Sequence, residues 1–211
     1  IHSEIVTVPR NTGTSANYNR AVDHSNGEWI KTIDGDDILL ENCIQDNIDY
    51  VAANPEAKVV FSDYFIFKNK QRIREFKDNP FMQNNKNFFT VDTHNQYISL
   101  LSRNILPSPA SFLYGDLIRH VRFDERYRYI EDAPLWIKLT KQGIRMYLLN
   151  KKTVMYRNQE SISKSSTKYF SPLHVESSLS YFWCERYYYI KENNLQNAYD
   201  AVLMRRHEDV S

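Results

Sequence analysis

Short β-branched runs alternate with stretches of helical apolar spacing along this chain. Strands are predicted at residues 4–8, 29–33 and 58–67, where β-branched and aromatic residues stand between turn-forming residues. A helical stretch separates the first two runs, so the order predicts a right-handed parallel crossover. The whole pattern predicts an α/β fold. Further helices are predicted at residues 16–24, 41–54, 92–103 and from Asp132, and further strands at 110–114, 144–149 and 152–156.

The pattern changes near Ser171. From there to the C-terminus, apolar and aromatic residues recur at helical intervals. We therefore expect residues 1–168 to form the main domain and residues 169–211 to form a helical extension that packs on it. An interfacial membrane or partner surface is the alternative interpretation of the aromatic residues in this extension.

Three carboxylates follow the second predicted strand directly. Asp34, Asp36 and Asp37 lie within four positions, and Gly35 lets a ligand approach the backbone closely. Ligands of open α/β sheets bind outside the carboxyl ends of strands, so a site is expected here. Carboxylate oxygens suit Mg²⁺ or Mn²⁺, and a diphosphate can complete the coordination shell. The alternative is an ordinary turn in which Asp37 caps a helix near Ile38.

A second acidic pair, Glu131-Asp132, precedes a predicted helix. Asp132 is placed to cap that helix, and Pro134 is tolerated in its first turn. A carboxylate at a helix N-terminus is kept ionised by the helix dipole and by backbone donors, so it can accept a proton at neutral pH. A structural cap and a catalytic base are both compatible with this pattern.

Arg157 begins a polar loop after the last predicted strand. Its guanidinium has the geometry to bind a phosphate group. A surface ion pair is the alternative interpretation.

Composition limits the classes of function. Hydrophobic residues make up 42% and charged residues 25% of the 211 positions, as in folded globular proteins. The net charge of +1 argues against a general nucleic-acid-binding surface. Cys43 and Cys184 stand far apart in apolar segments, which favours buried free thiols of a reducing compartment over a disulfide. No apolar run approaches the ~18 residues of a spanning helix and no signal-peptide pattern opens the chain, so we expect a cytoplasmic protein.

Seven short motifs follow one another in a defined order between about Val8 and Ser163. They are Asn11-x-Gly13, Ala16-Asn17-Tyr18-Asn19, Gly27-Glu28-Trp29-Ile30, Asp34-Gly35-Asp36-Asp37, Phe61-Ser62-Asp63-Tyr64, Glu131-Asp132 and Leu135-Trp136. Together they resemble glycosyltransferase family 2, the inverting nucleotide-sugar transferases with a GT-A fold. The resemblance implies a Rossmann-type mixed sheet flanked by helices. Two positions depart from it, because Tyr18 stands where many members carry Arg and Asn158-Gln159 where a His is frequent.

The resemblance implies a role for each acid. Asp34 would contact the donor ribose or help to order the metal shell, Asp36 would bind Mg²⁺ or Mn²⁺, and Asp132 would be the general base. The base would take the proton of an acceptor hydroxyl that attacks opposite the leaving diphosphate, so the anomeric carbon would invert. The donor-binding residues would also include Asn11, Gly13, Asn19 and Arg157.

The resemblance also implies the partners of the reaction. The donor would be a nucleotide-sugar, most simply a UDP-sugar, and the acceptor a saccharide or lipid-linked hydroxyl in cell-surface polysaccharide synthesis. The family's first strand and helix would precede Ile1, so residues 1–168 would be an N-terminally incomplete catalytic domain. The aromatic helices of residues 169–211 would suit work at the inner face of a membrane.

Two other functions remain open from the residues. A nucleotidyltransferase can use a related α/β fold with paired aspartates and a metal ion. A binding or scaffolding module would use the acids only as caps and turns. Metal-dependent binding of a UDP-sugar separates the transferase from the scaffold.

Overall fold

The computed structural model describes residues 3–67, 77–78 and 81–157, together with Tyr181 and Tyr187. Its strands are β1 (Trp29–Lys31), β2 (Ile38–Leu39), β3 (Val59–Phe67), β4 (Lys77–Asp78), β5 (Ser111–Tyr114) and β6 (Met146–Arg157). Its helices are α1 (Thr14–His24), α2 (Cys43–Ala53), α3 (Phe81–Asn84), α4 (Asn87–Thr90), α5 (Thr93–Ser102), α6 (Gly115–Val121) and α7 (Asp132–Lys141), and a 3₁₀ turn spans Ser108–Ala110.

The strands form one mixed sheet in the order β1-β5-β3-β6-β2, and β4 pairs with the far end of β3. Strands β3 and β6 run parallel at the centre, and the other described pairs are antiparallel. Helices pack against this sheet, so the predicted mixed α/β fold is confirmed.

The core forms where β3 meets α7. Val59, Val60 and Phe61 are fully buried because β3 lies in the middle of the sheet with both faces covered. Trp136 of α7 is also fully buried, and its ring stands edge-on to the ring of Phe61 at 4.9 Å. Burial of these large side chains fixes α7, and therefore Asp132 at its start, relative to the sheet.

The strand predicted at residues 4–8 is wrong. Those residues form no strand in the structure, and the side chain of Ile5 is 89% exposed. A β-branched run becomes a strand only when a neighbouring strand supplies its hydrogen bonds, and no described strand does so here. The predicted parallel crossover is therefore wrong as well, since β1 pairs with β5 and is antiparallel to it.

The two strands predicted at residues 144–149 and 152–156 are one strand, β6. Opposite the neighbours Ser62 and Asp63 of β3, pairing passes from Leu149 directly to Lys152. The two intervening residues bulge out of the ladder, which explains the polar interruption of the pattern without ending the strand.

Residues 169–211 lie outside the described part of the chain except for Tyr181 and Tyr187. Tyr181 is buried, and its ring lies 5.5 Å from the ring of Tyr127. Cys43 is a buried free thiol as predicted, whereas Cys184 lies outside the described residues. Among the described helices, none has the length and apolar content needed to cross a membrane.

Candidate functional site

The first acidic stretch lies in the connection that carries the chain from β1, at one edge of the sheet, to β2, at the other. The backbone N–H of Asp37 donates to the carbonyl of Asp34 at 3.1 Å, which closes a turn over residues 34–37. The helix predicted near Ile38 is therefore wrong, because strand β2 begins there.

Tyr18 connects this turn to α1. The hydroxyl of Tyr18, which is buried, donates to Oδ1 of Asp34 at 2.6 Å. Burial raises the pKa of Asp34. The hydrogen bond from Tyr18 lowers this pKa, and the charge of Asp36 raises it further. Tyr18, at the position where the resemblance implies an arginine, thus contributes a neutral phenol that donates to Asp34.

Asp37 bonds to the end of β6. Its Oδ1 accepts the backbone N–H of Arg157 at 2.7 Å, and its Oδ2 is buried without a hydrogen-bond partner in the described part of the chain. Burial raises the pKa of Asp37 to about 7, while the charge of Arg157 lowers it. The Nε of Arg157 is likewise buried and unpartnered there, and its guanidinium lies 5.5 Å from the ring centre of Phe67.

Asp132 is the first residue of α7 rather than the residue before it. Its Oδ1 accepts the backbone N–H of Ala133 at 2.6 Å, and its Oδ2 accepts an N–H of the Asn104 amide at 2.9 Å. Burial raises the pKa of Asp132 to about 6 against the effect of these hydrogen bonds. The carboxylate is therefore less acidic than the helix dipole alone suggests, yet mostly ionised at pH 7.

The two acidic stretches converge on one site. The negative charge of Asp34 raises the pKa of both Asp132 and Glu131, and burial brings the pKa of Glu131 to about 8. The charges of Asp34, Asp37 and Asp132 also act together on Tyr156 of β6, whose pKa burial raises to about 12. Carboxylates some hundred positions apart in sequence therefore interact electrostatically around the end of β6.

Asn11 and Gly13 occupy the start of α1. Gly13 has a φ of 93°, and a Cβ at this position would lie 2.5 Å from the carbonyl oxygen of Arg128, so glycine is required. The Asn11 Oδ1 accepts the backbone N–H of Gly13 at 2.8 Å. Both residues line a cleft of about 390 Å³, which Arg10 and Arg20 also line.

Asn19 is buried, and its amide is used within the protein. Its Oδ1 accepts the backbone N–H of Phe123 at 2.9 Å, and its Nδ2 donates to the Phe123 carbonyl and to Glu125. These bonds hold α1 against the segment that leads to Glu131. Asn19 therefore supports the site by holding α1 against this segment.

Asp36 lies between Asp34 and Asp37, and its charge raises the pKa of both. No three His, Cys, Asp or Glu side chains among the described residues are arranged to bind a metal ion by themselves. The buried, unpartnered Oδ2 of Asp37 shows that this turn has acceptor capacity which the described protein groups leave unused. The site thus fits a cation that brings oxygen ligands of its own, as a diphosphate-bound cation does.

Several residues of the site were not assigned from the sequence. Tyr18 and Glu131 stand inside the recognised motifs, and Asp37 was assigned only a capping role. Tyr156 immediately precedes Arg157, whereas Asn104 carries no sequence signal, because its contact with Asp132 depends on how α5 packs against α7.

Comparison with known proteins decides the family. The model of the family described as "Glycosyl transferase family 2" matches residues 2–107. The chain belongs to glycosyl transferase family 2. Over 193 residues it is 23% identical to the uncharacterized glycosyltransferase MJ1057 of Methanocaldococcus jannaschii, which covers 90% of this chain and 61% of that protein. The chain therefore spans about three fifths of the relative that it matches.

Solved glycosyltransferase structures share the fold. S. aureus TarS (1–349) in complex with UDP-GlcNAc superposes with a TM-score of 0.53 at 18% identity, over 79% of this chain and 45% of that one. TarS (1–349) without a named ligand gives a TM-score of 0.51 at 17% identity, over 83% and 47% of the two chains. The likeness establishes a GT-A fold for this member of glycosyl transferase family 2.

Proposed function

We propose that this family 2 glycosyltransferase is a metal-dependent, inverting enzyme that moves a sugar from a nucleotide-sugar to an acceptor hydroxyl. The observation that carries the proposal is that one segment connects Asp34 and Asp132. Asn104 donates to Asp132 at 2.9 Å, and Ser108 donates at 3.4 Å to the Tyr18 hydroxyl, which donates to Asp34 at 2.6 Å. In this proposal residues 34–37 bind the donor, and Asp132 faces the acceptor.

Asp132 is the general base of this proposal. Its pKa of about 6 leaves it ionised at neutral pH, yet basic enough to accept a proton during the attack. The acceptor oxygen forms the new bond to the anomeric carbon and its proton moves to Asp132. The bond from that carbon to the phosphate oxygen breaks, and the nucleoside diphosphate leaves with the electron pair.

The turn of residues 34–37 binds the donor. Asp34, fixed by Tyr18, is placed to accept hydrogen bonds from ribose hydroxyls, and Arg157 contributes positive charge beside the diphosphate. A divalent cation held by Asp36 and the two donor phosphates would offset the charge that builds on the leaving diphosphate. We propose a UDP-sugar as donor, a choice supported by TarS, which binds UDP-GlcNAc and shares the fold.

We propose a saccharide or lipid-linked acceptor of cell-surface polysaccharide synthesis. A groove of about 460 Å³ supports this choice, because Arg103 and Ile105 at its border flank Asn104, the partner of Asp132. Its lining combines amide and apolar side chains, which suit the hydroxyl groups and the C–H faces of a sugar. It includes Asn84, Asn87, Asn95, Phe88, Val91 and Ile98. Binding at a membrane surface stays a prediction, and sedimentation with anionic vesicles tests it.

Calorimetric titration with UDP-glucose, UDP-galactose and UDP-N-acetylglucosamine, with and without Mn²⁺, tests the donor half of the proposal. We expect one donor to bind in a Mn²⁺-dependent manner, and Asp36→Asn to abolish that dependence. Asp49→Asn is the matched control, because it removes a carboxylate from the exposed face of α2. Equal binding by Asp36→Asn contradicts the metal assignment, and absence of binding by every nucleotide-sugar contradicts the function.

A further inference from the structure

Asn104 stands outside every motif of the chain, yet its amide contacts Asp132, the proposed general base. Its Nδ2 donates to Oδ2 of Asp132 at 2.9 Å. Its Oδ1 accepts the backbone N–H of Leu106 at 3.1 Å, two residues further along. The second bond settles the orientation of the amide, because only the oxygen can accept an N–H, so the NH₂ group must face Asp132.

The segment that carries Asn104 is fixed to α7 at a second point. The carbonyl of Leu106 accepts the indole N–H of Trp136 at 2.8 Å, and both side chains are fully buried. Trp136 lies four residues after Asp132, so the two contacts fall on one face of α7, about one turn apart. The segment therefore cannot move away from Asp132 without breaking a buried hydrogen bond.

Several neighbouring groups act on the ionisation of Asp132, and the Asn104 amide is one of them. The titratable groups that act with it are Glu131 beside it, Asp34 from the turn after β1 and Tyr156 from β6. Burial and the charge of Asp34 oppose the ionised form of Asp132, whose own charge raises the pKa of Glu131 and of Tyr156 in return. The backbone N–H of Ala133, the Asn104 amide and the backbone N–H of Asp132 itself favour the ionised form.

We propose that Asn104 is a positioning residue that orients the Asp132 carboxylate and keeps it ionised at neutral pH. This inference rests on the proposed role of Asp132 as the general base. The Ala133 N–H holds one oxygen and Asn104 the other, which fixes the plane of the carboxylate. One lone pair on each oxygen stays free of these two bonds, available for an acceptor hydroxyl.

Two variants separate positioning of Asp132 from support of the segment. Asn104→Asp keeps an oxygen that accepts the Leu106 N–H, but it replaces the donor to Asp132 with a second negative charge. Asn104→Ala removes both bonds. Gln45→Glu is the matched control, because it makes the same amide-to-acid change where the Gln45 amide donates to Asp49 at 2.7 Å on the exposed face of α2.

The first readout is the carboxyl titration of Asp132 followed by ¹³C NMR, which needs no turnover. We expect the pKa of Asp132 to rise by about one unit in Asn104→Ala and to stay unchanged in Gln45→Glu. An unchanged pKa in Asn104→Ala would overturn the inference. This arm stays decisive even where the wild-type protein transfers no sugar, an outcome that contradicts only the proposed function.

The second readout is the pH profile of transfer. We expect the acid limb of kcat to move to higher pH in both Asn104 variants, further in Asn104→Asp, with the donor KM within about twofold of the wild-type value. Gln45→Glu should keep the wild-type profile. A wild-type pH profile in Asn104→Asp would overturn the positioning role and show that Asn104 only holds the Leu106 backbone.

Discussion

Helices α5 and α7 each have at their start an aspartate that accepts a backbone N–H and a side-chain amide, but Asp92 precedes α5 whereas Asp132 is the first residue of α7. At α5, Asp92 accepts the backbone N–H of Asn95 at 2.8 Å and its side-chain amide at 3.0 Å. At α7, Asp132 accepts a backbone N–H and the amide of Asn104. Asp92 is exposed and its hydrogen bonds to Asn95 lower its pKa, whereas burial raises the pKa of Asp132 to about 6.

Asp92 precedes its helix and caps it in solvent, whereas Asp132 is the first residue of its helix and loses solvent, so position and surroundings together separate the cap from the proposed base. Both carboxylates accept hydrogen bonds that favour the charged form. At Asp132, loss of solvent and the charge of Asp34 outweigh those bonds, whereas at Asp92 solvent remains and the bonds prevail.

The largest expected difference is in catalysis. Asp132→Asn should lower transfer by about 10²–10⁴-fold, the usual contribution of a general base, with donor affinity unchanged. Asp92→Asn should stay within about twofold of the wild-type rate, since its side chain lies at the exposed start of α5. Initial rates at saturating donor, paired with calorimetric donor binding, measure both. Full turnover by Asp132→Asn would contradict its role as the general base and leave it a structural residue at the start of α7.

The second expected difference is the pH dependence of the rate. Because Asp132 must be ionised to accept a proton, kcat should fall about tenfold per pH unit below about 6. A rate that stays constant down to pH 4 would show that no group with a raised pKa takes part. The profile of Asp92→Asn should overlay that of the wild-type protein.

Removal of the Tyr18 hydroxyl tests the donor side of the cluster. Tyr18→Phe deletes the 2.6 Å hydrogen bond to Asp34, and loss of a bond to a charged group should weaken donor binding by about tenfold. Tyr50→Phe on α2 is the control for loss of a phenol. Unchanged donor affinity in Tyr18→Phe would show that the hydrogen bond to Asp34 does not contribute to donor binding.

The smallest expected difference is in stability, where the two aspartates should show opposite signs. The raised pKa of Asp132 means that its contribution to stability is greatest below about pH 4 and is lost as the pH rises through about 6. At pH 8, Asp132→Asn should therefore increase the free energy of unfolding by on the order of 1–2 kcal/mol.

Asp92 should behave in the other direction. Its pKa is lowered, so its contribution is present above the usual aspartate range and is lost as the pH falls through it. Asp92→Asn should lower the midpoint of urea unfolding at pH 8. A shift of the same sign in both variants would contradict the comparison.

The sequence predicted best those features that short-range chemistry decides. The helix predicted at residues 92–103 forms as Thr93–Ser102, and Asp92 caps it, because the bond to the Asn95 N–H is local. The helix of residues 43–53 and the strand of residues 59–67 also lie where apolar spacing placed them. The strand is buried as its pattern predicts, whereas on the helix Cys43, Asn47 and Val51 are buried and the apolar Ile44 and Ile48 are exposed.

The spacing of apolar and polar residues could not predict long-range contacts. Residues 78–90 showed no period, yet Phe88 and Phe89 are buried in the short helix α4 against the core. The contact of Asn104 with Asp132 spans 28 positions and depends on helix packing. The interaction of Asp34 with Asp132 depends on a connection that crosses from one sheet edge to the other, and only the topology reveals it.

The most direct test of this account is a carboxyl titration of the wild-type protein by ¹³C NMR, in which Asp132 and Asp92 are followed in the same sample. The account predicts that Asp132 titrates near pH 6, while Asp92 titrates below the usual aspartate pKa of about 3.9. Titration of both carboxyl groups below pH 4 would show that Asp132 is an ordinary carboxylate at the start of α7, and would contradict the convergence of the two acidic stretches on one catalytic site.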